Sequence, residues 1–141
     1  MKAIILAAGL GNRLLPLTED KPKCLVEFSG KTLLERLLKT FKSCGVNDIV
    51  LVSGHKSEKI NYADLDLVKN EKYSKTGIIH SLFCAREKFE KTVIVSYGDI
   101  IFENSVLEKL LKSKYDITAV VDKKWERYWK LRPDKPLSDA E

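Results

Sequence analysis

The 141-residue chain reads as an α/β domain, a three-layer sandwich of helices on both faces of a mostly parallel sheet. Three observations predict it. Short apolar runs rich in Ile and Val recur along the chain. Amphipathic stretches at helical spacing separate them. The runs are continuous rather than alternating, the pattern of strands buried on both faces.

In order, Lys2–Ala8 is an Ile-rich apolar run closed by Gly9 and reads as the first buried strand. Residues 9–23 hold two glycines, two prolines and no periodicity, so they form a long loop. Cys24–Phe28 is a candidate short strand. Thr32 opens a helix, with Glu35 placed three residues on for a capping box. Leu33, Leu34, Leu37, Leu38 and Phe41 share one face, and Gly45 stands where a helix-ending glycine belongs. Asp48–Ser53 is the second strand, ended by Gly54, and the last residues of Ile60–Val68 are a possible further one. Ile78, Ile79, Leu82, Phe83 and Phe89 mark another amphipathic helix. Thr92–Ser96 is the next strand, ended by Tyr97-Gly98-Asp99. Asn104 stands where it can cap a helix bearing Val106, Leu107, Leu110 and Leu111, and Ile117–Val121 closes the series as a fourth apolar strand.

Hydrophobic residues make up 44% and charged residues 32%, which excludes a disordered tail and suits one domain spanning residues 1–141. Lys plus Arg exceed Asp plus Glu by 25 − 20 = 5. The excess is spread out, which favours a small anionic partner over nucleic acid. Cys24, Cys44 and Cys84 form no paired motif, so a reducing, cytoplasmic setting is expected. No apolar run approaches the roughly 18–20 residues of a membrane helix, and a secretory leader is not expected. His55 and His80 lack a partner at metal-ligand spacing and read as structural or solvated.

Ligands of open α/β sheets sit outside the carboxyl ends of the strands. At the first such end stands Leu6-Ala7-Ala8-Gly9-Leu10-Gly11-Asn12-Arg13, then Leu14-Leu15-Pro16-Leu17-Thr18, then Pro22-Lys23. Small residues let backbone N–H groups approach an anion. Arg13 adds a fork of donors, and Lys23 a mobile charge. The dinucleotide fingerprint fails, because Leu14 stands at the third glycine position. A P-loop at Gly30-Lys31-Thr32 fails as well, because Leu25 replaces its first glycine. Taken alone, the glycines fit an ordinary turn equally well.

As a whole the loop resembles the signature of the nucleotidyltransferases that make nucleotide-activated sugars and alcohols. It carries each element in turn as Leu6–Arg13, Leu14–Thr18 and Pro22-Lys23. Asn70–Tyr73, Ser81–Ala85, Ser96–Ile100, and a tail with Trp125, Trp129, Arg132 and Pro136–Glu141 resemble most closely the choline-phosphate cytidylyltransferase branch. Gly77 departs from it, since relatives often carry Asn there. The resemblance implies a Rossmann-like sandwich of the nucleotide-diphospho-sugar transferase type. It implies CTP or another NTP, a phosphorylated acceptor and Mg²⁺, with pyrophosphate released.

It also implies residue roles. The backbone of Leu6, Ala7, Ala8 and Gly9 would hold the base, with Gly54 and Ser81 also at the nucleotide. Gly11 and Arg13 would hold the β- and γ-phosphates, Lys23 the α-phosphate, and Asp99 the metal. Asp99 also fits a plain turn, and Ser81 fits local capping. Trp125 and Trp129 fit either core packing or an aromatic wall for a cationic head group. Arg132 fits the acceptor phosphate or an ion pair with Asp139 or Glu141. Relatives continue with further strands and a second metal carboxylate, so the chain is expected to be a nucleotide-binding half that turns over poorly alone. A homo-oligomer is left open. The alternatives are a non-catalytic nucleotide-sensing module, or a uridylyl- or thymidylyltransferase acting on sugar 1-phosphates.

Overall fold

The computed structural model describes residues 1–131. The chain divides into two compact units, Met1–Leu107 and Glu108–Glu141.

In the first unit, β1 (Lys2–Ala7) lies at the centre of a parallel sheet. Residues 23–25 form a 3₁₀ turn, and Glu27–Phe28 (β2) pairs antiparallel with Lys31–Thr32 (β3). The expected strand at Cys24–Phe28 is thus a turn followed by one arm of a hairpin. The cause lies at its tip. Ser29 (φ 50°) and Gly30 (φ 72°) both adopt the left-handed conformation, the geometry of a two-residue hairpin loop. Arg36 clamps the tip by donating to the carbonyls of Phe28 and Ser29.

Helix α1 (Leu33–Ser43) starts as the sequence predicts. The Thr32 hydroxyl accepts from the Glu35 N–H at 3.1 Å, and the Glu35 carboxylate accepts from the Thr32 N–H at 2.7 Å. It ends with Gly45 (φ 81°) donating to Lys42 O at 3.1 Å and Val46 N–H donating to Phe41 O at 3.0 Å, a Schellman closure. Its buried stripe is Leu34, Leu37, Leu38 and Phe41, and the Phe41 ring meets Phe102 edge-on at 6.1 Å.

β4 (Asp48–Ser53) and β5 (Asp66–Lys69) follow, then α2 (Ile78–Cys84) and β6 (Val93–Tyr97). The sheet order is β5-β4-β1-β6, all parallel, with Lys2 level with Asp48 on one side and Val93 on the other. Ile4, Leu6, Val50 and Val52 form one buried cluster with Ala85, Leu82 and Cys84 at the end of α2. Ala3, Ile5, Ile49 and Leu51 have the opposite parity and are equally buried. The two central strands are therefore covered on both faces, as expected. β6 is not: Val95 and Tyr97 are exposed, and its burial alternates because it lies at the sheet edge. Phe89 falls beyond α2, after a 3₁₀ turn at Arg86–Lys88.

The chain runs outward from β1 to β4 to β5, then returns to set β6 on the far side of β1. Successive connections therefore part company between β1 and β6. That divergence opens a crevice at the carboxyl ends of those two strands.

Helix α3 (Asn104–Leu111) begins at Asn104 and runs across the unit boundary in sequence. In the second unit, the expected strand at Ile117–Val121 is absent. The segment makes no strand pair among the described residues, and Ile117 is 91% and Val121 73% exposed. An apolar run becomes a strand only where a neighbour offers hydrogen bonds, and among the described residues none does. α4 (Trp125–Trp129) is a short helix, with the Trp125 and Trp129 rings edge-on at 5.8 Å. Arg132, Asp139 and Glu141 lie outside the described residues.

Candidate active site

At the β1/β6 divergence lies an open cleft of about 350 Å³. Leu6–Arg13 forms one wall, and Tyr97-Gly98-Asp99, Lys23, Cys24 and Ile78 complete it. Each piece has a local reason to be there. Gly11 takes φ 73° at the start of a 3₁₀ turn spanning Asn12–Leu14, and its carbonyl accepts from the buried Thr18 hydroxyl at 2.9 Å. A methyl on Gly11 would meet Thr18 Cγ2 at 3.0 Å. Thr18 thus folds the second half of the loop back on the first, which brings Lys23 towards the strand ends.

Gly98 sets the other wall. Its N–H donates to Leu6 O at 2.8 Å, and a methyl there would lie 2.8 Å from Ala7 Cβ. Only glycine lets β6 close this tightly on β1. The next residue, Asp99, is thereby held at the mouth, where its carboxylate accepts from Lys23 Nζ. The two side chains are 30% and 31% exposed, so the pair faces the cleft while water still reaches it.

Gly9 behaves differently. It lines the cleft, yet a methyl there would meet no protein atom within 4 Å. The protein's own packing does not require glycine at this position, whereas close approach of a ligand to the backbone would.

Of the sequence-derived candidates, Leu6, Ala7, Ala8, Gly9, Gly11, Arg13, Lys23 and Asp99 meet at this cleft. Gly54 and Ser81 do not line it. A methyl on Gly54 would sit 2.6 Å from both Ala8 O and Tyr73 Cβ, so this glycine permits close packing. Ser81 is buried, and its hydroxyl accepts from Asn70 Nδ2 at 3.0 Å. Trp125 and Trp129 belong to the second unit.

Six lining residues carried no role in the sequence reading: Leu10, Asn12, Cys24, Ile78, Tyr97 and Gly98. Tyr97 and Cys24 could have been found, since each adjoins a candidate, Asp99 by way of Gly98 in one case and Lys23 in the other. No sequence signal distinguished Ile78 from its apolar neighbours. Burial, with a further push from Asp99, raises the Cys24 thiol from its ordinary 9.0 to about 12. It stays protonated at neutral pH and is no nucleophile.

The lining of the cleft is of two chemical kinds. Arg13, Lys23 and Asp99 bear charge, whereas Leu6, Ala7, Ala8, Ile78 and Tyr97 present apolar surface and backbone. Among the described residues, no three His, Cys, Asp or Glu side chains cluster as a metal cage. One carboxylate at the mouth still fits Mg²⁺, which takes one or two carboxylates and draws its other ligands from phosphate oxygens and water.

A parallel sheet whose switch-point cleft joins a glycine loop, an arginine, a lysine and an aspartate defines an open α/β protein with a ligand cleft at its strand ends. The chain belongs to the MobA-like NTP transferase domain family, whose model matches residues 3–132. It is 40% identical to the CTP:phosphoglutamine cytidylyltransferase of Campylobacter jejuni, across 100% of this chain and 60% of that protein. It is 37% identical to the choline-phosphate cytidylyltransferase of Streptococcus pneumoniae, across 82% of this chain and 52% of that one.

Among solved structures, the CTP:phosphocholine cytidylyltransferase of Streptococcus pneumoniae matches with a TM-score of 0.67 at 38% identity, over 74% of this chain and 49% of that one. The inositol-1-phosphate CTP transferase of T. maritima matches at 0.68 and 30% identity, over 81% and 49%. The fold is therefore that of the nucleotide-diphospho-sugar transferases. The chain spans about half the length of these solved relatives. No helix among the described residues is long and apolar enough to cross a membrane.

Proposed function

We propose that this chain is the nucleotide-binding portion of a cytidylyltransferase, which moves CMP from CTP to the phosphate of a small phosphorylated acceptor. The observation that carries the reading is the convergence of Arg13, Lys23 and Asp99 on one cleft with the Leu6–Gly11 backbone. The relatives described above are named for cytidylyl transfer and for phosphorylated alcohols or amino compounds, which supports the choice of base and acceptor class.

The apolar lining takes the base, and the backbone of Leu6–Gly9 reads its edge. Gly11 and Arg13 hold the β- and γ-phosphates, since a guanidinium pairs with phosphate oxygens in a fixed fork. Lys23 leaves Asp99 and neutralises the α-phosphate. An acceptor phosphate oxygen then forms a bond to the α-phosphorus while the bond from that phosphorus to the bridging oxygen breaks, and pyrophosphate departs. The nucleophile is already an anion, so no general base is needed. Positioning and charge neutralisation supply the catalysis. Bound at Asp99, Mg²⁺ would supply further neutralisation of phosphate charge.

The test is equilibrium binding of four nucleoside triphosphates to the chain, followed by pyrophosphate release with phosphocholine, inositol phosphate and sugar 1-phosphates. CTP is expected to bind best, and a phosphorylated alcohol to release most pyrophosphate. A chain that binds no nucleoside triphosphate would sink the reading.

A further inference from the structure

Asn70 is among the most deeply buried polar residues of the chain, at 1% exposure, and does not line the cleft. Every polar group it owns is used. Its Nδ2 donates to Ser81 Oγ and to Thr76 Oγ1, both at 3.0 Å, and its Oδ1 accepts from Lys72 N–H at 2.9 Å. Its backbone N–H donates to Ser53 O at 2.9 Å, and its carbonyl accepts from Tyr73 N–H at 3.3 Å. Thr76 in turn donates to Lys72 O at 2.8 Å. A side-chain amide alone offers two donors and an acceptor on one rigid plane, which is why Asn suits this hub. A buried network satisfied this completely fixes one geometry.

Two routes lead from the hub, and both reach apolar residues that line the cleft. In the first, Ser81 belongs to the first turn of α2, where its N–H donates to Gly77 O at 3.3 Å; Ile78, in that turn, lines the cleft. In the second, the turn held by Asn70 presses Tyr73 against Gly54, and Gly54 lies against the carbonyl of Ala8, another lining residue.

We propose that Asn70 is a positioning residue for the base: through Ser81 and Tyr73 it fixes Ile78 and Ala8, the lining that would meet the base, rather than the side chains that would meet the phosphates. This rests on the nucleotide reading above, and it assigns Ser81 to the support of the site rather than to contact with the ligand.

The experiment compares two probes on the 141-residue chain, CTP and inorganic pyrophosphate, by calorimetric titration. Pyrophosphate carries the phosphate groups of the nucleotide without its base. Asn70→Ala is expected to weaken CTP about tenfold and to leave pyrophosphate within about twofold. Ser81→Ala, which cuts the first route only and keeps the helix, is expected to weaken CTP about threefold with the same selectivity. Where Asn70→Ala fails to fold, Ser81→Ala decides alone. Equal losses for both probes would assign these residues to general stability and overturn the proposal, as would unchanged CTP binding. A wild-type chain that binds pyrophosphate and not CTP overturns this inference; one that binds neither overturns the parent reading as well.

Discussion

β1 and β4 end alike: each buried strand stops at a glycine at the same end of one sheet, Gly9 soon after β1 and Gly54 directly after β4. Only one of these ends is open. Past Gly9 the chain lines a cleft, and a side chain there would meet nothing; past Gly54 the space is filled by Tyr73 and the Ala8 carbonyl. The difference follows from topology. β1 borders the point where the connections diverge, whereas β4 lies between β1 and β5 with the chain running the same way on both sides. A glycine at a strand end therefore marks a site only where the strand order reverses. Elsewhere it marks tight packing.

Four substitutions break or sharpen this contrast. Lys23→Ala, at the open end, should lower pyrophosphate release by about 10²–10³-fold wherever the wild type shows it, because a charge aimed at the reacting phosphate is lost. Stability should change by less than about 1 kcal/mol, since the pair with Asp99 is partly solvated. An unaltered rate would remove Lys23 from the mechanism. Gly54→Ala, at the closed end, should cost about 1–3 kcal/mol in denaturant unfolding, because a methyl must enter space held by backbone and a ring.

Gly9→Ala should do the reverse and weaken CTP at least about tenfold while moving stability by under about 0.5 kcal/mol. If Gly9→Ala unfolds the chain and Gly54→Ala only weakens CTP, the contrast is inverted and fails. The smallest effect lies far from either end. Thr32→Ala should remove about 1 kcal/mol from the capping box of α1 and leave CTP affinity alone, as seen by thermal melting alongside titration.

Much of this was legible beforehand where the physics is local. The capping box at Thr32 and Glu35 and the Gly45 stop depend on neighbours within a few residues, and both are as predicted. The loop from Leu6 to Lys23 was readable because its residue types and spacing are specific. Non-local outcomes were not readable. Ile117–Val121 has the composition of a strand, yet a strand is defined by its partner. Ser81 had the right type for a ligand contact, but its hydroxyl goes to Asn70, eleven residues away in sequence. The hairpin at Glu27–Thr32 was hidden because Ser29 takes a left-handed conformation that serine rarely favours. Ile78 reached the cleft only through the placement of α2, which no pattern of apolar residues specifies.

The sealed thiol of Cys24 has one last consequence, on the alkaline side. Its pKa is about 12 in the folded chain against an ordinary value of 9.0. Below the lower value both folded and unfolded chains keep the proton, and the group favours neither. Above it the unfolded chain ionises first, so stability drains away progressively as the medium approaches pH 12. Caustic conditions should therefore loosen the wall beneath Lys23.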